Sequence, residues 1–400
     1  MNKSFIKRDV YLNKVLPYIN KDIIKVIIGQ RRVGKSYILY QIMDLIKKSD
    51  PEANIIYVNK EQFEFDLVKD YRDLLAFIHD KSISKVKNYV FIDEVQEITG
   101  FEKALRDLAA RNNYDLYCTG SNAMMLSSDL STHLSGRYIE VPVYSLSFGE
   151  FLTFHKLEAG EEALLKYIRY GGLPYLKNLE LKDEIVFDYL KNIYNTILFR
   201  DVVSRFGLRN INFLERLVDF VAANIGSLIS SKKISDYLKS QSVKITPRVV
   251  LNYLSNLCSA FFIYKVQRID VAGKKVFEVS EKYYFEDLGL RNAIIGYKQA
   301  DLGKIMENLV FSHLKFLGYK VYVGKLANLE IDFVGEKAGE KIYVQVAYLL
   351  PDAKTSEREF GNLMKIDDNY EKIVVSMDKL AGGDYKGIKH MHILEFLKRN

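Results

Sequence analysis

The stretch "IIGQRRVGKSY", residues 27–37, carries GxxxxGK[ST] from Gly29 to Ser36 without deviation. The motif needs a strand before it and a helix after it, and the sequence supplies both. "IIKVIIG" (23–29) is a continuous β-branched run that fits a strand buried on both faces of a parallel sheet. "KSYILYQIMDLIKK" (35–48) has helical apolar spacing. Glycines in such a loop let backbone N–H groups approach phosphates, and the helix N-terminus adds positive potential. The nucleotide-binding candidates are therefore Gly29, Gln30, Arg31, Arg32, Val33, Gly34, Lys35, Ser36 and Tyr37. Lys35 should reach the β- and γ-phosphates, and the Ser36 hydroxyl should serve Mg2+.

A second strand candidate (53–61) and a helical segment (71–81) follow, and then "KNYVFIDEVQE" (87–97). Its "YVFIDE" is a buried strand ending in two acids. Asp93 would hold the metal shell, and Glu94 would orient and polarise an attacking water. No guanine-reading motif is placed after the sheet, since "VNKE" at 58–61 precedes the acidic strand.

The inserted strand–helix unit and the paired acids resemble the additional-strand, catalytic-glutamate P-loop ATPases, a group that includes the AAA+ and RecA-like machines. By that resemblance, "YDLYCTGSN" is the strand between the loop strand and the acidic strand. Thr119, Ser121 and Asn122 at its tip fall where a γ-phosphate sensor is kept. Arg137 is then a candidate arginine finger, in cis or from a second subunit. "GQRRVGKS", "FIDEVQ", "TGSN", "LSGRYIEVPVYSLSFGEF" and "YGGLPYL" are together similar to bacterial and archaeal AAA-type ATPases with a C-terminal domain of unknown function. The likeness covers essentially the whole chain and is tightest before residue 180. It implies binding of ATP with Mg2+, and hydrolysis.

Residues 212–287 parse as helix, helix "KKISDYLKSQ", turn, helix "TPRVVLNYLSNLCSAF" and a hairpin. Thr246 is the expected N-cap and Pro247 the first helical residue. The order resembles a winged helix-turn-helix. The third helix itself offers Arg248, and Lys232, Lys233, Lys239, Lys244, Lys274 and Lys275 would surround it, so DNA is one expected partner and a protein surface the alternative.

The C-terminal stretch 304–350 places Glu307 on a helix, Asp332 on a strand and Gln345 on the next strand. This is the outline of a restriction-endonuclease-like α/β domain, whose acids bind a metal and whose lysine steadies charge on the phosphate. The lysine position holds Ala347. The expectation is therefore the fold without the chemistry, and Lys354 or Lys365 is the route by which a lysine could return.

Composition narrows the remaining classes. Lys+Arg 58 against Asp+Glu 51 gives +7, which permits nucleic acid without demanding it. Cys118 and Cys258 lie far apart in apolar runs, so no disulfide framework or metal spacing is expected. No apolar run is long enough to span a membrane, no membrane partner is expected, and the N-terminus lacks a signal-peptide core, so the expectation is a cytoplasmic protein. The organisation expected is an α/β P-loop NTPase domain of parallel-sheet type (1–180), a helical and winged-helix-like domain (181–295) and a degenerate nuclease-like α/β domain (296–400). The leading function is an ATPase that couples turnover to conformational change, on DNA or in a self-assembled oligomer. A nucleotide-gated DNA- or protein-binding switch with slow turnover is the alternative, ahead of an ATP-dependent nuclease.

Overall fold

The computed structural model describes residues 5–123, 134, 136–240, 245–271, 276–378, 381 and 383–399. The chain forms two compact units. One is 1–144 with 259–261, and the other is 145–258 with 262–400.

The first unit is built on a five-stranded sheet in the order β2-β3-β4-β1-β5. Its strands are β1 (Ile24–Ile28), β2 (Asn54–Asn59), β3 (Asn88–Asp93), β4 (Tyr114–Gly120) and β5 (Tyr138–Pro142). Every pairing is parallel. The three central strands are buried along their whole length, while β2 and β5 at the edges are only partly so. That is the burial expected of a sheet covered on both faces. Lys25 breaks the apolar run of β1. It is fully buried, pairs with Asp115 of β4 and lies 4.8 Å from the Tyr117 ring centroid. Asp115 also accepts from the Tyr117 hydroxyl at 2.8 Å, so the charge inside the sheet is fully partnered.

The second unit begins with helices Phe148–His155, Glu161–Tyr170 and Asp183–Thr196, and the last of these runs on as a π-helical stretch, Ile197–Ser204. "YGGLP" lies just past the second helix, and glycines are required there. A Cβ on Gly171 would stand 2.2 Å from Asp287 Oδ1, and one on Gly289 would stand 2.0 Å from the Tyr170 carbonyl oxygen. Asp287 accepts from the Gly172 N–H at 2.7 Å, and neighbouring Glu286 accepts from the Ser145 N–H at 2.8 Å. Burial pushes the Glu286 carboxyl up to about 8.

Helices Ile211–Ala223, Ser231–Ser240 and Pro247–Ser259 then lead into the hairpin of β6 (Ile263–Asp270) and β7 (Val276–Phe285), and Ile229 bridges Glu281 of that hairpin. Thr246 Oγ1 accepts from the Val249 N–H at 3.4 Å, as a cap should. Three helices and then a hairpin are present in the expected order, but the hairpin is not free. β6 runs parallel to β8 (Lys320–Leu326) and so extends the C-terminal sheet, whose order is β12-β13-β11-β10-β9-β8-β6-β7. The other strands of that sheet are β9 (Leu329–Lys337), β10 (Glu340–Val346), β11 (Glu371–Ser376), β12 (Asp384–Tyr385) and β13 (Ile388–His392).

This corrects two expected boundaries. The first unit closes at 144 and not at 180, and 181–295 shares a sheet with 296–400. The physical reason is the unsatisfied edge of β8, which the hairpin pairs and covers. Helix Leu302–Phe316 packs Phe311 on Tyr284 with ring centroids 4.7 Å apart, and Phe360 of helix Ala353–Met364 joins the core of Tyr322, Ile331, Val334 and Tyr343. No described helix is long and apolar enough to cross a membrane.

Gly289→Ala should destabilise the protein by about 3 kcal/mol through overpacking against Tyr170. Gly303→Ala, where a Cβ meets nothing within 4 Å, should be neutral or slightly stabilising. Urea unfolding of the two variants beside the wild type checks the contrast.

Candidate nucleotide site

The loop after β1 is held by backbone geometry. Gly29 has φ 152°, and a Cβ on it would lie 2.1 Å from the Val143 carbonyl oxygen. Arg32 and Gly34 also take positive φ, 71° and 97°, and Gly34 caps helix Lys35–Ser49. The Lys35 ammonium is thereby turned back under the loop. It donates to the Gly29 and Gln30 carbonyls at 3.1 and 3.0 Å and lies 3.5 Å from Glu94 Oε1. Gln30 is fully buried, and neither atom of its amide has a hydrogen-bond partner. Arg31 is buried and pairs with Glu61 at 2.7 Å, while Arg32 is exposed. Tyr37 is half exposed and stands edge-on to Tyr40, whose hydroxyl lies 3.1 Å from that of Tyr57.

The acids arrive on β3, two strands from β1. Asp93 ends the strand, and Glu94 follows in a left-handed conformation with φ 56°. Strand β4 lies between β1 and β3 and supplies Thr119 to both acids. Thr119 Oγ1 accepts from the Glu94 N–H at 2.9 Å and donates to Asp93. The hydroxyls of Ser36 and Tyr57 also bond Asp93, the latter at 3.2 Å. Burial raises the Asp93 carboxyl, and the hydrogen bonds from Ser36 and Thr119 oppose that rise.

Glu94 shifts the other way. Burial alone would raise it, yet Lys35, Arg31 and hydrogen bonds from Gln96 and Ser121 hold it at about 2. Ser121 Oγ donates to Glu94 Oε2 at 3.0 Å, and Asn122 is buried beside it.

Lys35, Ser36, Asp93, Glu94 and Ser121 therefore converge at the C-terminal ends of β1, β3 and β4. Arg137 does not join them. Its carbonyl accepts from the Ile24 N–H at 2.9 Å, which places it at the N-terminal end of β1. Five strand residues separate that end from the loop, about 16 Å, and the side chain is exposed. The expectation of Arg137 as a finger in cis is corrected on this ground, since a parallel β5 puts its entry at the end opposite the phosphate loop.

Sequence reasoning missed Gln96 and Tyr57. The only trace of Gln96 was a polar residue two places after Glu94, which the left-handed turn folds back. Tyr57 left none, because β-strand tyrosines are ordinary.

In the second unit Glu307, Asp332 and Gln345 meet, with the Asp332 N–H donating to Gln345 Oε1 at 3.3 Å. Lys354 and Lys365 are exposed. The lysine at this cluster is Lys282 of β7, 2.7 Å from Glu307. Lys232, Lys233, Lys239 and Arg248 are exposed on their helices, and Lys244, Lys274 and Lys275 lie outside the described residues.

Comparison with known proteins shows the family. A family profile for an AAA domain matches residues 21–152, and one for a domain of unknown function matches 161–301. An uncharacterised protein of Haemophilus influenzae is 37% identical over 405 residues, covering 99% of this chain and 100% of that protein. An uncharacterised protein of Methanocaldococcus jannaschii is 31% identical over 401 residues, covering 94% and 86%. The chain belongs to this family of AAA-type P-loop ATPases. The solved Walker-type ATPase PABY2304 of Pyrococcus abyssi has a similar fold, with 16% identity and a TM-score of 0.50 over 73% of this chain and 96% of that one.

The Glu94 shift has a testable consequence for stability. A carboxyl whose pKa is depressed on folding stabilises above its unfolded value, and that stabilisation is lost as pH falls through the folded one. The stability gap between wild type and Glu94→Gln should be flat from about pH 5 to 8 and shrink from about 4.5 towards 2. Denaturant unfolding across pH measures it.

Proposed function

We propose that the chain binds ATP with Mg2+ at the β1 loop and hydrolyses it, Glu94 acting on the attacking water. The observation that carries this reading is the Lys35–Glu94 pair, 3.5 Å apart and buried, beside an Asp93 bonded to Ser36.

The residues present suit the ligand. Loop N–H groups and the N-terminus of helix Lys35–Ser49 face a phosphate chain, and the unpaired amide of Gln30 offers a donor and an acceptor. The Ser36 hydroxyl and the Asp93 carboxylate are the groups to hold Mg2+, which when bound neutralises charge across the β- and γ-phosphates. Lys35 exchanges its loop carbonyls for phosphate oxygens. In doing so it withdraws positive charge from Glu94, so the carboxylate becomes more basic as the substrate seats. Glu94 then orients the water and accepts its proton, and Ser121 and Thr119 tie its position to β4. Without the γ-phosphate the ammonium returns and the base is quenched.

A second reading, a nucleotide-gated DNA-binding switch, is favoured by the exposed Lys232, Lys233, Lys239 and Arg248 around the three-helix segment.

Glu94→Gln should lower kcat for ATP by about 10²–10⁴-fold while ATP affinity is kept. Steady-state hydrolysis beside equilibrium ATP binding measures both, and an undiminished kcat would sink Glu94 as the base. The same variant separates the readings. ATP-dependent DNA affinity with negligible wild-type turnover supports the switch, and DNA-stimulated turnover supports the motor.

A further inference from the structure

The acids of the C-terminal sheet are gathered around a lysine. Lys282 sits on β7 at the last paired position before the β6–β7 ladder breaks register. Its ammonium lies 2.7 Å from Glu307 Oε1, 2.9 Å from Glu330 Oε1 and 3.8 Å from Asp332 Oδ1, and its side chain is 3% exposed. Asp332 sits at a second register break, where Tyr322 pairs with Val334 but Gly324 pairs with Ile331. Such bulges re-aim side chains. Two separate ladder defects thus turn a cation and an anion onto the same point.

Several of the oxygens that a metal would need already accept hydrogen bonds or face the ammonium. Glu307 Oε1 accepts from Lys282 and also from the Tyr284 hydroxyl at 2.5 Å. Asp332 Oδ2 accepts from the Val346 N–H at 2.9 Å, and Gln345 Oε1 from the Asp332 N–H. Gly226 closes in on Glu307 with φ 71°, and even a Cβ there would stand 2.8 Å from Oε2. Mg2+ asks for near-octahedral oxygens at about 2.0–2.1 Å and keeps several waters. Among the described residues, no three His, Cys, Asp or Glu side chains are arranged to hold a metal.

The charges agree with this arrangement. Burial, then Glu307, push the Asp332 carboxyl up, and Lys282 pulls against them. Burial would depress Lys282, but Glu307, Asp332 and Glu330 hold it above the usual lysine range. Nor does Lys282 match the lysine of a cutting site. That lysine follows the second acid on its own strand and faces the phosphate, whereas this position is the buried Ala347 and Lys282 is walled in by carboxylates.

We infer that Lys282 is the resident cation of this cluster: its ammonium fills the place of a divalent metal among Glu307, Glu330 and Asp332, and the domain as folded does not cut nucleic acid. The nuclease outline is kept because the internal ion pair needs the same acids that a metal would.

The test uses the full chain carrying Asp93→Asn, which silences the cation site of the P-loop, and titrates Mn2+ by calorimetry and electron spin resonance. With Lys282 present, no Mn2+ should bind at the C-terminal acids, and plasmid DNA should stay intact with Mg2+ or Mn2+. Lys282→Met should gain one Mn2+ per chain, lost again with Asp332→Asn. Mn2+ at about 100 times its Kd should raise the Tm of Lys282→Met by roughly 5–10 °C and leave the parent unmoved. Mn2+ binding or plasmid cutting by the parent that disappears with Asp332→Asn overturns the inference, as does a folded Lys282→Met that binds no Mn2+. If Lys282→Met does not fold with or without Mn2+, the parent decides alone, by the same criteria of binding and cutting.

Discussion

The nucleotide site turns on one buried ammonium. Lys35 is held at once by the carbonyls of its own loop and by the carboxylate of Glu94. Neither hold is possible without the rest of the first unit. The loop carbonyls point inward because Gly29, Arg32 and Gly34 take backbone conformations that most residues avoid. Glu94 is within reach because the crossover to β2 and β3 leaves a gap beside β1, which β4 later fills. That late insertion puts Thr119 and Ser121 between the loop and the acids, where a hydroxyl can bond Asp93 and Glu94 together. Strand order is thus a chemical arrangement as well as a topological one.

Asp93 and Glu94 are adjacent and both buried, yet their carboxyls shift in opposite directions. The difference lies in their partners. Asp93 is met mainly by neutral hydroxyls, which offset only part of its desolvation, so a divalent cation has something to gain there. Glu94 is met by the cations Lys35 and Arg31 and is over-compensated. In the proposed reaction, a carboxylate so strongly stabilised would accept a proton only once its counter-charge is drawn elsewhere. On that proposal a phosphate is the ligand that would draw Lys35 away, so the same ammonium would serve as lock and key.

The legible parts of the fold were those carried by short-range constraint. Eight consecutive residues fix the phosphate loop, and "YVFIDE" fixes β3 with its acids, because each side chain's task follows from its neighbours in sequence. The three-helix order and the position of Pro247 were readable for the same reason. What sequence could not show depends on pairing at a distance. The hairpin 263–285 alternates like any wing, and nothing in it announces that β6 will pair with β8 more than fifty residues on. Arg137 looked like a finger from its place before a strand, and only the parallel register of β5 with β1 reveals which end of the sheet it occupies. Lys282 was one lysine among many until two register breaks aimed it.

Lys35 and Lys282 then show one physical device put to two uses. Each is a buried lysine facing carboxylates, and each would be costly to leave unpaired. Lys35 divides its contacts between neutral carbonyls and one acid, so in the proposed reaction a phosphate would replace the carbonyls at small cost. Lys282 faces three acids, one of which also holds Tyr284, and Gly226 closes on the cluster. Releasing it would strand several negative charges in a low-dielectric setting unless another cation took its place. The first lysine is therefore exchangeable and the second fixed. The number of acids around an ammonium, and how tightly backbone seals it, decides which of two similar clusters can take part in chemistry and which only holds the fold together.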